Sequence, residues 1–127
     1  DYGAGTGPVI TRILMADLYN IKPYDPYFHN FLEYLEEKYD YIACCEVIEH
    51  FNKPYQEFKR IKNLLKDNGN LYCQTDLYKD SINFADWYYK NDPTHVFFYS
   101  EKSILWIKEE FNFKEVTIKD RLITFKN

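Results

Sequence analysis

The chain begins on a glycine-rich turn, and this turn constrains the fold more than any other stretch. The opening residues read DYGAGTGPVI, with Gly3, Gly5 and Gly7 placed before an apolar, helix-like run. A turn of this kind normally follows a buried β-strand, because the strand fixes the turn and the turn directs backbone N–H groups at a ligand. Only Asp1 and Tyr2 precede the glycines. The sequence therefore predicts a strand, turn and helix unit whose strand is largely missing.

Helical and extended segments alternate along the rest of the chain. Pro8 to Asp17 has helical apolar spacing, and YDYIACCEV is a short apolar run typical of a buried strand. The other predicted elements, in chain order, are a short strand LYNIKPYDP, a short helix FHNFLEYLEEK, a helix KPYQEFKRIKNLLKDNG, a strand NLYCQT, a helix beginning at Ser100 and an antiparallel hairpin of FKEVTIKD and RLITFKN. This order predicts an α/β fold with a mostly parallel sheet, helices on both faces and a C-terminal antiparallel hairpin.

Composition limits the chain to one domain and narrows its partners. With 127 residues, 46% of them hydrophobic, the sequence suits a single domain, residues 1–127, around one core. The net charge is −4 and the basic residues are scattered, which argues against nucleic acid or a membrane surface as partner. No apolar run reaches the roughly 18 to 20 residues needed to cross a bilayer. Cys44, Cys45 and Cys73 lie in apolar stretches and predict reduced thiols in a cytoplasmic protein.

An acidic residue stands where a nucleotide-binding fold would use one. Asp25 ends the second predicted strand, about 20 residues after the glycine turn, the distance at which a carboxylate usually contacts ribose hydroxyls. Pro8 occupies the position of the third glycine in the dinucleotide fingerprint, and no Gly-Lys-Ser or Gly-Lys-Thr is present for a Walker loop. The glycine turn alone fits either a nucleotide site or an ordinary tight turn, and Asp25 favours the nucleotide site.

Four motifs stand in a fixed order along the chain: DYGAGTG, YDP, YDYIACCEVIEHF and LLKDNGNLYCQT. They resemble, in the same order, the first motif, the second-strand end, the fourth strand and the following helix, turn and strand of class I S-adenosylmethionine-dependent methyltransferases. Asp67 and Asn68 depart from the residues usual in the last motif. The EVIEH segment resembles the ubiquinone-biosynthesis O-methyltransferases and related small bacterial enzymes. The resemblance implies a Rossmann-like, three-layer sandwich.

The resemblance also implies that this chain is a partial methyltransferase domain. In the family the first strand runs into the acidic residue that begins the first motif, so Asp1 and Tyr2 would be the tail of a strand that lies upstream. The short connection between Asp25 and Tyr39 leaves the family's third strand reduced or absent. Unpaired backbone groups on buried strand edges each cost roughly 1 to 3 kcal/mol. We therefore expect self-association or another partner to cover these edges.

Carried over residue by residue, the resemblance assigns a site for S-adenosylmethionine. The glycine turn would line the methionine part of the cofactor, Asp1 would bond near its amino group and Asp25 would contact the ribose hydroxyls. Two residues that follow the fourth strand would flank the adenine and methionine ends. The implied cofactor-binding residues are Asp1, Gly3, Ala4, Gly5, Asp25, Pro26, Cys45 and Glu46. Simpler roles stay open for Asp1, as a solvated terminus, and for Cys45, as a packed thiol.

The EVIEH segment carries the residues with catalytic chemistry. Glu46, Glu49 and His50 are spaced i, i+3 and i+4, which places them on one face if the segment is helical. A similar Glu-x-x-Glu-His arrangement binds a divalent cation in small-RNA 2′-O-methyltransferases. A Mg²⁺ site is therefore one interpretation, with His95 of the long loop as a fourth ligand, and a site without metal is the favoured one. Such a cation would hold and acidify an acceptor hydroxyl. Family members also carry the motif without metal, and then His95 or His50 is the expected general base.

The acceptor is expected to be a hydroxyl, or an amine, of a small molecule, with S-adenosylhomocysteine as the second product. The loop containing WYYKNDPTHVFFYS would form either a lid over the acceptor or a satellite core that fixes the loop. Two other functions remain as alternatives. The first is a non-catalytic or truncated cofactor-binding domain. The second is an NAD(P)-dependent oxidoreductase, which Pro8 disfavours.

Overall fold

A computed structural model describes residues 1 to 127, which form α-helices and a four-stranded sheet. The α-helices are α1 (Val9–Ala16), α2 (Pro54–Leu64) and α3 (Glu101–Glu110). The strands are β1 (Tyr39–Cys45), β2 (Leu65–Gln74), β3 (Glu115–Lys119) and β4 (Leu122–Lys126), in the sheet order β1-β2-β4-β3. Short 3₁₀ helices lie in the connections, at Leu32–Glu36, Ile48–His50, Phe84–Asp86 and Tyr88–Asn91. None of the helices has both the length and the apolar character needed to cross a membrane.

The sheet is mixed rather than mostly parallel. β1 pairs with β2 in parallel, and Cys44 lies opposite Cys73. β4 runs antiparallel to both β2 and β3. The predicted α/β fold and C-terminal hairpin are confirmed, whereas the prediction of a mostly parallel sheet is wrong. The hairpin pairs directly with β2, and the first two predicted strands add only a single bridge to the parallel side.

That bridge joins the start of the chain to Tyr24. The Tyr24 N–H donates to the Asp1 carbonyl at 2.8 Å, and the Tyr2 N–H donates to the Ala43 carbonyl of β1 at 2.8 Å. Asp1 and Tyr2 therefore lie between β1 and Tyr24. The strand predicted over LYNIKPYDP is wrong except near its end, because two residues offer too little backbone to pair with the rest of it.

The connection between Asp25 and Tyr39 contains no strand. The 3₁₀ helix Leu32–Glu36 takes the place of the α-helix predicted over FHNFLEYLEEK, and His29 makes an isolated bridge with Asp25. β1 is consequently the outermost strand on its side of the sheet, with only the chain start beyond it.

α2 ends earlier than its sequence pattern predicts. The helix expected to run to Asn68 and Gly69 stops at Leu64, and Leu65 is extended, with φ −78° and ψ 141°. Leu65 is 3% exposed and pairs with Tyr39 at the start of β1. Burying a leucine side chain contributes about 1.5 to 3 kcal/mol, which outweighs the preference of a few residues for helix. Tertiary packing thus overrides the local signal here.

α2 and α3 pack on the same face of the sheet and enclose the core. Phe58 of α2 contacts Phe125 of β4 and Tyr99 just before α3, with ring centroids 6.3 and 6.1 Å apart. Burying these apolar faces is the main favourable term in the stability of the fold. Other core side chains on this face are Ile42, Cys44, Ile61, Leu71, Cys73, Ile104, Ile107 and Ile123.

The opposite face of the sheet is only partly covered. Tyr19, shortly after α1, packs edge-on against Tyr41 of β1, with ring centroids 6.3 Å apart. Tyr72 and Leu122 on the same sheet remain exposed. Helices on both faces were predicted, but the third layer of the expected sandwich is incomplete because α1 buries only Thr11.

Candidate active site

The glycine turn packs against the residues that follow β1. Gly3 has a φ of +82°, and a Cβ added there would lie 2.5 Å from Val47 Cγ1. Gly5 has a φ of +62°, and no atom lies within 4 Å of the position that its Cβ would take. Glycine adopts such φ values without the strain that a Cβ causes. The turn is therefore closed at Gly3 and open at Gly5.

The N–H groups of the turn are bonded inside the chain. The Gly3 and Ala4 N–H groups both donate to the Tyr24 carbonyl, at 2.8 and 3.1 Å. The Gly5 N–H donates to Asp25 Oδ2 at 3.0 Å. These bonds fix the turn against the segment that carries Tyr24 and Asp25, and they leave the open side of Gly5 as the place where a ligand can approach.

The Asp25 carboxylate accepts hydrogen bonds from the residues that follow it as well as from the glycine turn. Asp25 is 7% exposed, and its Oδ1 accepts from the N–H groups of Tyr27 and Phe28 at 2.9 and 3.1 Å. Pro26, beside it, is exposed. The carboxylate predicted to contact ribose therefore already has a structural role in holding this loop.

Asp1 is bonded to α1. Its Oδ2 accepts from the Thr11 N–H at 3.1 Å and from the Thr11 hydroxyl at 2.8 Å. Thr11 is 4% exposed. A carboxylate here satisfies an N–H of the first helical turn and complements the helix dipole. The carboxylate of Asp1 is therefore anchored rather than solvated.

Cys45 ends β1 as a partly buried thiol. Its Sγ donates to Gln74 Oε1 at 3.6 Å. Burial, together with the negative charges of Glu46 and Glu49, raises the pKa of the Cys45 thiol. The thiol is therefore protonated at neutral pH, which suits packing beside a ligand better than nucleophilic chemistry.

Glu46 has an unusual backbone conformation, and its side chain is paired with Arg121. Its φ of +53° lies in the left-handed region, which few residues other than glycine adopt. Both carboxylate oxygens lie 2.7 Å from Nη2 of Arg121, a residue of the turn between β3 and β4. The helix that would align Glu46 with Glu49 and His50 does not form, because the 3₁₀ helix begins only at Ile48. Glu46 is therefore separate from the other predicted metal ligands.

Glu49, His50 and His95 come together at one point. Their ligand atoms lie within 4.8 Å of one another. His95 reaches the site from the long aromatic loop, because the Val96 and Phe97 N–H groups both donate to the Glu49 carbonyl at 3.0 Å. Residues far apart in sequence thus form the cluster that the EVIEH motif predicted, without Glu46.

Glu49 is fully buried and has one oxygen without a partner. Its exposed fraction is 0%, and Oε1 accepts a hydrogen bond from the Tyr89 hydroxyl. Oε2 has no hydrogen-bond partner. Buried carboxylates are normally paired, hydrogen-bonded or bound to metal. Oε2 is thus the oxygen that a cation or a proton would take.

Both histidines leave Nε2 available for chemistry. His50 Nδ1 lies 2.9 Å from the Thr94 carbonyl, and His95 Nδ1 lies 2.7 Å from the Tyr89 carbonyl. A carbonyl only accepts, so each Nδ1 donates and, in the neutral ring, Nε2 is the unprotonated nitrogen. Asp92 Oδ2 lies 3.7 Å from His95 Nε2. A ring fixed in this way suits either a metal ligand or a general base.

Tyr89 connects the carboxylates. Its hydroxyl lies 3.0 Å from Thr75 Oγ1 and 3.1 Å from Glu46 Oε2, in addition to its bond to Glu49. Burial and the bond to Glu49 raise the pKa of this phenol, so it stays protonated at neutral pH. Sequence analysis identified Tyr89 only as one aromatic of the loop, since no spacing rule links it to Glu49.

Comparison with known families decides the class of the chain. The profile of a family described as a methyltransferase domain matches residues 1–118. The chain belongs to the class I S-adenosylmethionine-dependent methyltransferases. It is also similar to a ubiquinone biosynthesis O-methyltransferase of Glaesserella parasuis serovar 5 (strain SH0165), with 46% identity over 39 residues. That match covers 31% of this chain and 16% of the length of the relative.

In this methyltransferase domain the aromatic loop is partly a satellite core. Trp87 and Tyr89 are buried, and the Trp87 ring packs against Phe98 with centroids 5.3 Å apart. Tyr88 and Phe97 are exposed, at 62% and 40%. The buried rings therefore fix the loop that carries His95, while the exposed rings remain candidates for contact with an acceptor.

A cavity of the methyltransferase domain lies away from this cluster. It has a volume of about 390 Å³ and is lined by Tyr39 and Tyr41 of β1, Leu64 of α2 and Lys66 of β2. These residues lie toward the amino ends of the two parallel strands, whereas Glu46 and Glu49 follow the carboxyl end of β1. The candidate active site is therefore the Glu49, His50 and His95 cluster with the glycine turn, not this cavity.

Proposed function

We propose that this domain transfers a methyl group from S-adenosylmethionine to a hydroxyl, or an amine, of a small molecule. One observation carries the proposal: the glycine turn, through Gly3 against Val47, lies beside the segment that holds Glu49 and His50. Ligands of α/β sheets bind at the carboxyl ends of the strands, where these two segments lie. Methyl transfer needs mainly alignment there, because the sulfonium already makes the methyl carbon reactive.

The chain's own residues supply the proposed cofactor contacts. The open space at Gly5 admits the methionine part of S-adenosylmethionine close to the backbone. Asp25 Oδ2 accepts one N–H inside the chain and keeps a second lone pair for a ribose hydroxyl. Cys45, protonated and partly buried, would line the adenine end. Asp1 and Asp25 also fix the turn, so the two carboxylates both shape and line the site.

When bound, S-adenosylmethionine would supply a reactive methyl group to the acceptor oxygen. A carbon–oxygen bond would form as the carbon–sulfur bond breaks, and S-adenosylhomocysteine would leave with the electron pair on sulfur. The proton of the acceptor hydroxyl goes to Nε2 of a neutral histidine. We assign His95 as that base and His50 as its neighbour, because a carboxylate oxygen, Asp92 Oδ2, lies 3.7 Å from His95 Nε2, the nitrogen that takes the proton.

The same residues fit a divalent cation. Glu49 Oε2 lacks a partner, and both imidazoles are held by Nδ1 so that Nε2 is free. One carboxylate and two imidazoles form a donor set that suits divalent ions such as Mn²⁺, and Mg²⁺ with added waters. A bound cation would hold the acceptor hydroxyl and lower its pKa. We propose Glu49, His50 and His95 as the ligands of this metal-assisted form of the reaction.

Isothermal titration of S-adenosylhomocysteine into the 127-residue chain tests the cofactor part of the proposal. We expect a dissociation constant in the micromolar range. The Asp25→Ala variant should bind at least tenfold more weakly, because it loses both the ribose contact and the anchor of the turn. Asp17→Ala removes an exposed carboxylate after α1 and serves as the matched control, with binding unchanged. Repeating the titration with Mg²⁺ tests whether the cation and the cofactor influence each other.

A folded chain that fails to bind S-adenosylhomocysteine would contradict the proposal, and binding of NAD⁺ in its place would favour the oxidoreductase. A second candidate is a domain that binds the cofactor without transferring the methyl group. The internal bonds of the Asp1 and Asp25 carboxylates favour it, since these groups hold the fold even without a ligand. Cofactor binding with no methyl transfer to any hydroxyl or amine acceptor would support that candidate.

A further inference from the structure

We propose that Arg121 restrains Glu46 outside the cluster of Glu49, His50 and His95, so that a divalent cation gains Glu46 as a further ligand only when the Glu46–Arg121 pair opens. The inference rests on the cation site of the proposed function and adds a residue that controls it. Arg121 lies in the turn of the C-terminal hairpin and reaches the site from a different part of the chain.

The structure fixes both residues of the Glu46–Arg121 ion pair. Both oxygens of Glu46 lie 2.7 Å from Arg121 Nη2. The Glu46 N–H donates to the Gln74 carbonyl at 2.9 Å, and the Thr75 N–H donates to the Arg121 carbonyl at 3.1 Å. The end of β2 thus holds the backbones of both partners. The strained φ of Glu46, +53°, is maintained by this surrounding structure.

Tyr89 links Glu46 to Glu49, although Glu46 lies outside the cluster. The Tyr89 hydroxyl lies between Glu46 Oε2 and Glu49 Oε1, and it has one hydrogen to donate. Two carboxylates that share one donor repel each other unless a cation neutralises one of them. The Arg121 guanidinium, centred 5.7 Å over the Tyr89 ring, supplies that charge to Glu46. Glu49 receives no such charge and keeps Oε2 unpartnered.

The pair is also weak enough to exchange. The side chains of Arg121 and Glu46 are 42% and 38% exposed, and solvent screens ion pairs at such positions. Arg121 Nε is buried without a hydrogen-bond partner, so the guanidinium gains little beyond Glu46 itself. A divalent cation beside Glu49 carries a larger charge than Arg121 and competes for the same carboxylate.

Titration calorimetry with Mn²⁺ on the full chain tests this restraint, with circular dichroism to verify folding of each variant. We expect Arg121→Gln to bind Mn²⁺ at least fivefold more tightly than the wild type, because Glu46 becomes free to ligate. Arg121→Lys keeps the charge but not the planar fork, so its gain should be smaller. Lys119→Gln removes an exposed positive charge from the same hairpin and should leave the affinity within twofold.

A double-mutant cycle separates ligation from simple charge. In the Glu46→Gln background, Arg121→Gln should lose most of its gain, because no carboxylate remains to be released. A gain that persists in that background, an unchanged or weaker affinity in Arg121→Gln, or no Mn²⁺ binding by any folded variant would overturn the inference. Binding of S-adenosylhomocysteine, measured separately on the wild type, reports on the cofactor site of the proposed function, so failure of the two proposals can be distinguished.

Discussion

Glu46 and Glu49 have the same side chain, lie in the same short motif and meet different environments. Glu46 is partly exposed and paired with Arg121, whereas Glu49 is fully buried with one oxygen unpartnered. The cost of an unpaired buried carboxylate is high, so Glu49 is the residue that gains most from a cation or a proton. The two glutamates therefore have different roles because their surroundings differ. Their spacing in the sequence does not show which one is buried and which is paired with Arg121.

The two glycines of the opening turn should respond differently to substitution. Gly3→Ala introduces strain at a φ of +82° and places a Cβ 2.5 Å from Val47, so we expect a loss of about 2 to 4 kcal/mol in the free energy of unfolding. Gly5→Ala meets only the strain of its φ of +62°, and we expect about 1 kcal/mol. Urea unfolding of both variants measures the difference. Equal losses would contradict the close packing of Gly3 on Val47.

At the scale of elements, sequence succeeds where the signal is local. α1, β1, the start of α3 and the C-terminal hairpin follow from apolar periodicity and turn residues. The end of α2 was missed because Leu65 is drawn into the sheet opposite Tyr39, a tertiary pairing that no local pattern indicates. The strand before Asp25 was overpredicted for the converse reason, since its apolar residues have too little backbone to pair with.

The residues of the site also divide into those with a local sequence signal and those placed only by the tertiary fold. The EVIEH motif predicted Glu49 and His50 from residue type and spacing, and His95 was predicted from its place in the long loop. Arg121 was not predicted as a functional group, and Tyr89 was predicted only as one of the aromatic residues of the loop. Tyr89 reaches Glu49 from a loop with many similar rings, and Arg121 reaches Glu46, beside the cluster, from the turn of the C-terminal hairpin. Arg121 and Tyr89 are thus positioned by contacts between distant elements and are not marked by a sequence motif.

The N-terminus of α3 offers a test at this scale. The Ser100 hydroxyl accepts from the Ser103 N–H at 3.4 Å, and the Ser103 hydroxyl accepts from the Ser100 N–H at 2.8 Å. Both bonds of a capping box are therefore present. Ser100→Ala should therefore lower the free energy of unfolding by about 1 kcal/mol. Ser81→Ala, at an exposed loop position, is the control, and an equal effect of both in urea unfolding would refute the cap.

At the scale of the whole molecule, the fold brings four distant segments to one end of β1. The glycine turn, the residues after β1, the aromatic loop and the turn of the C-terminal hairpin meet there through Gly3, Glu49, His95 and Arg121. The family match identifies the chain as a methyltransferase domain, and we propose that the methyl transfer takes place here. The central claim is that the glycine turn and the cluster belong to one site, with the cofactor's methyl group beside the cluster.

Paramagnetic relaxation tests that claim directly. S-adenosylmethionine labelled with ¹³C in its methyl group would be bound to the chain, and Mn²⁺ would be added while the methyl signal is followed by NMR. We expect strong broadening of the signal, because relaxation by Mn²⁺ falls with the sixth power of distance. Diamagnetic Mg²⁺ should cause no broadening, and Mn²⁺ with the cofactor but without protein should cause much weaker broadening. A bound cofactor whose methyl signal is unaffected by bound Mn²⁺ would show that the turn and the cluster are separate sites.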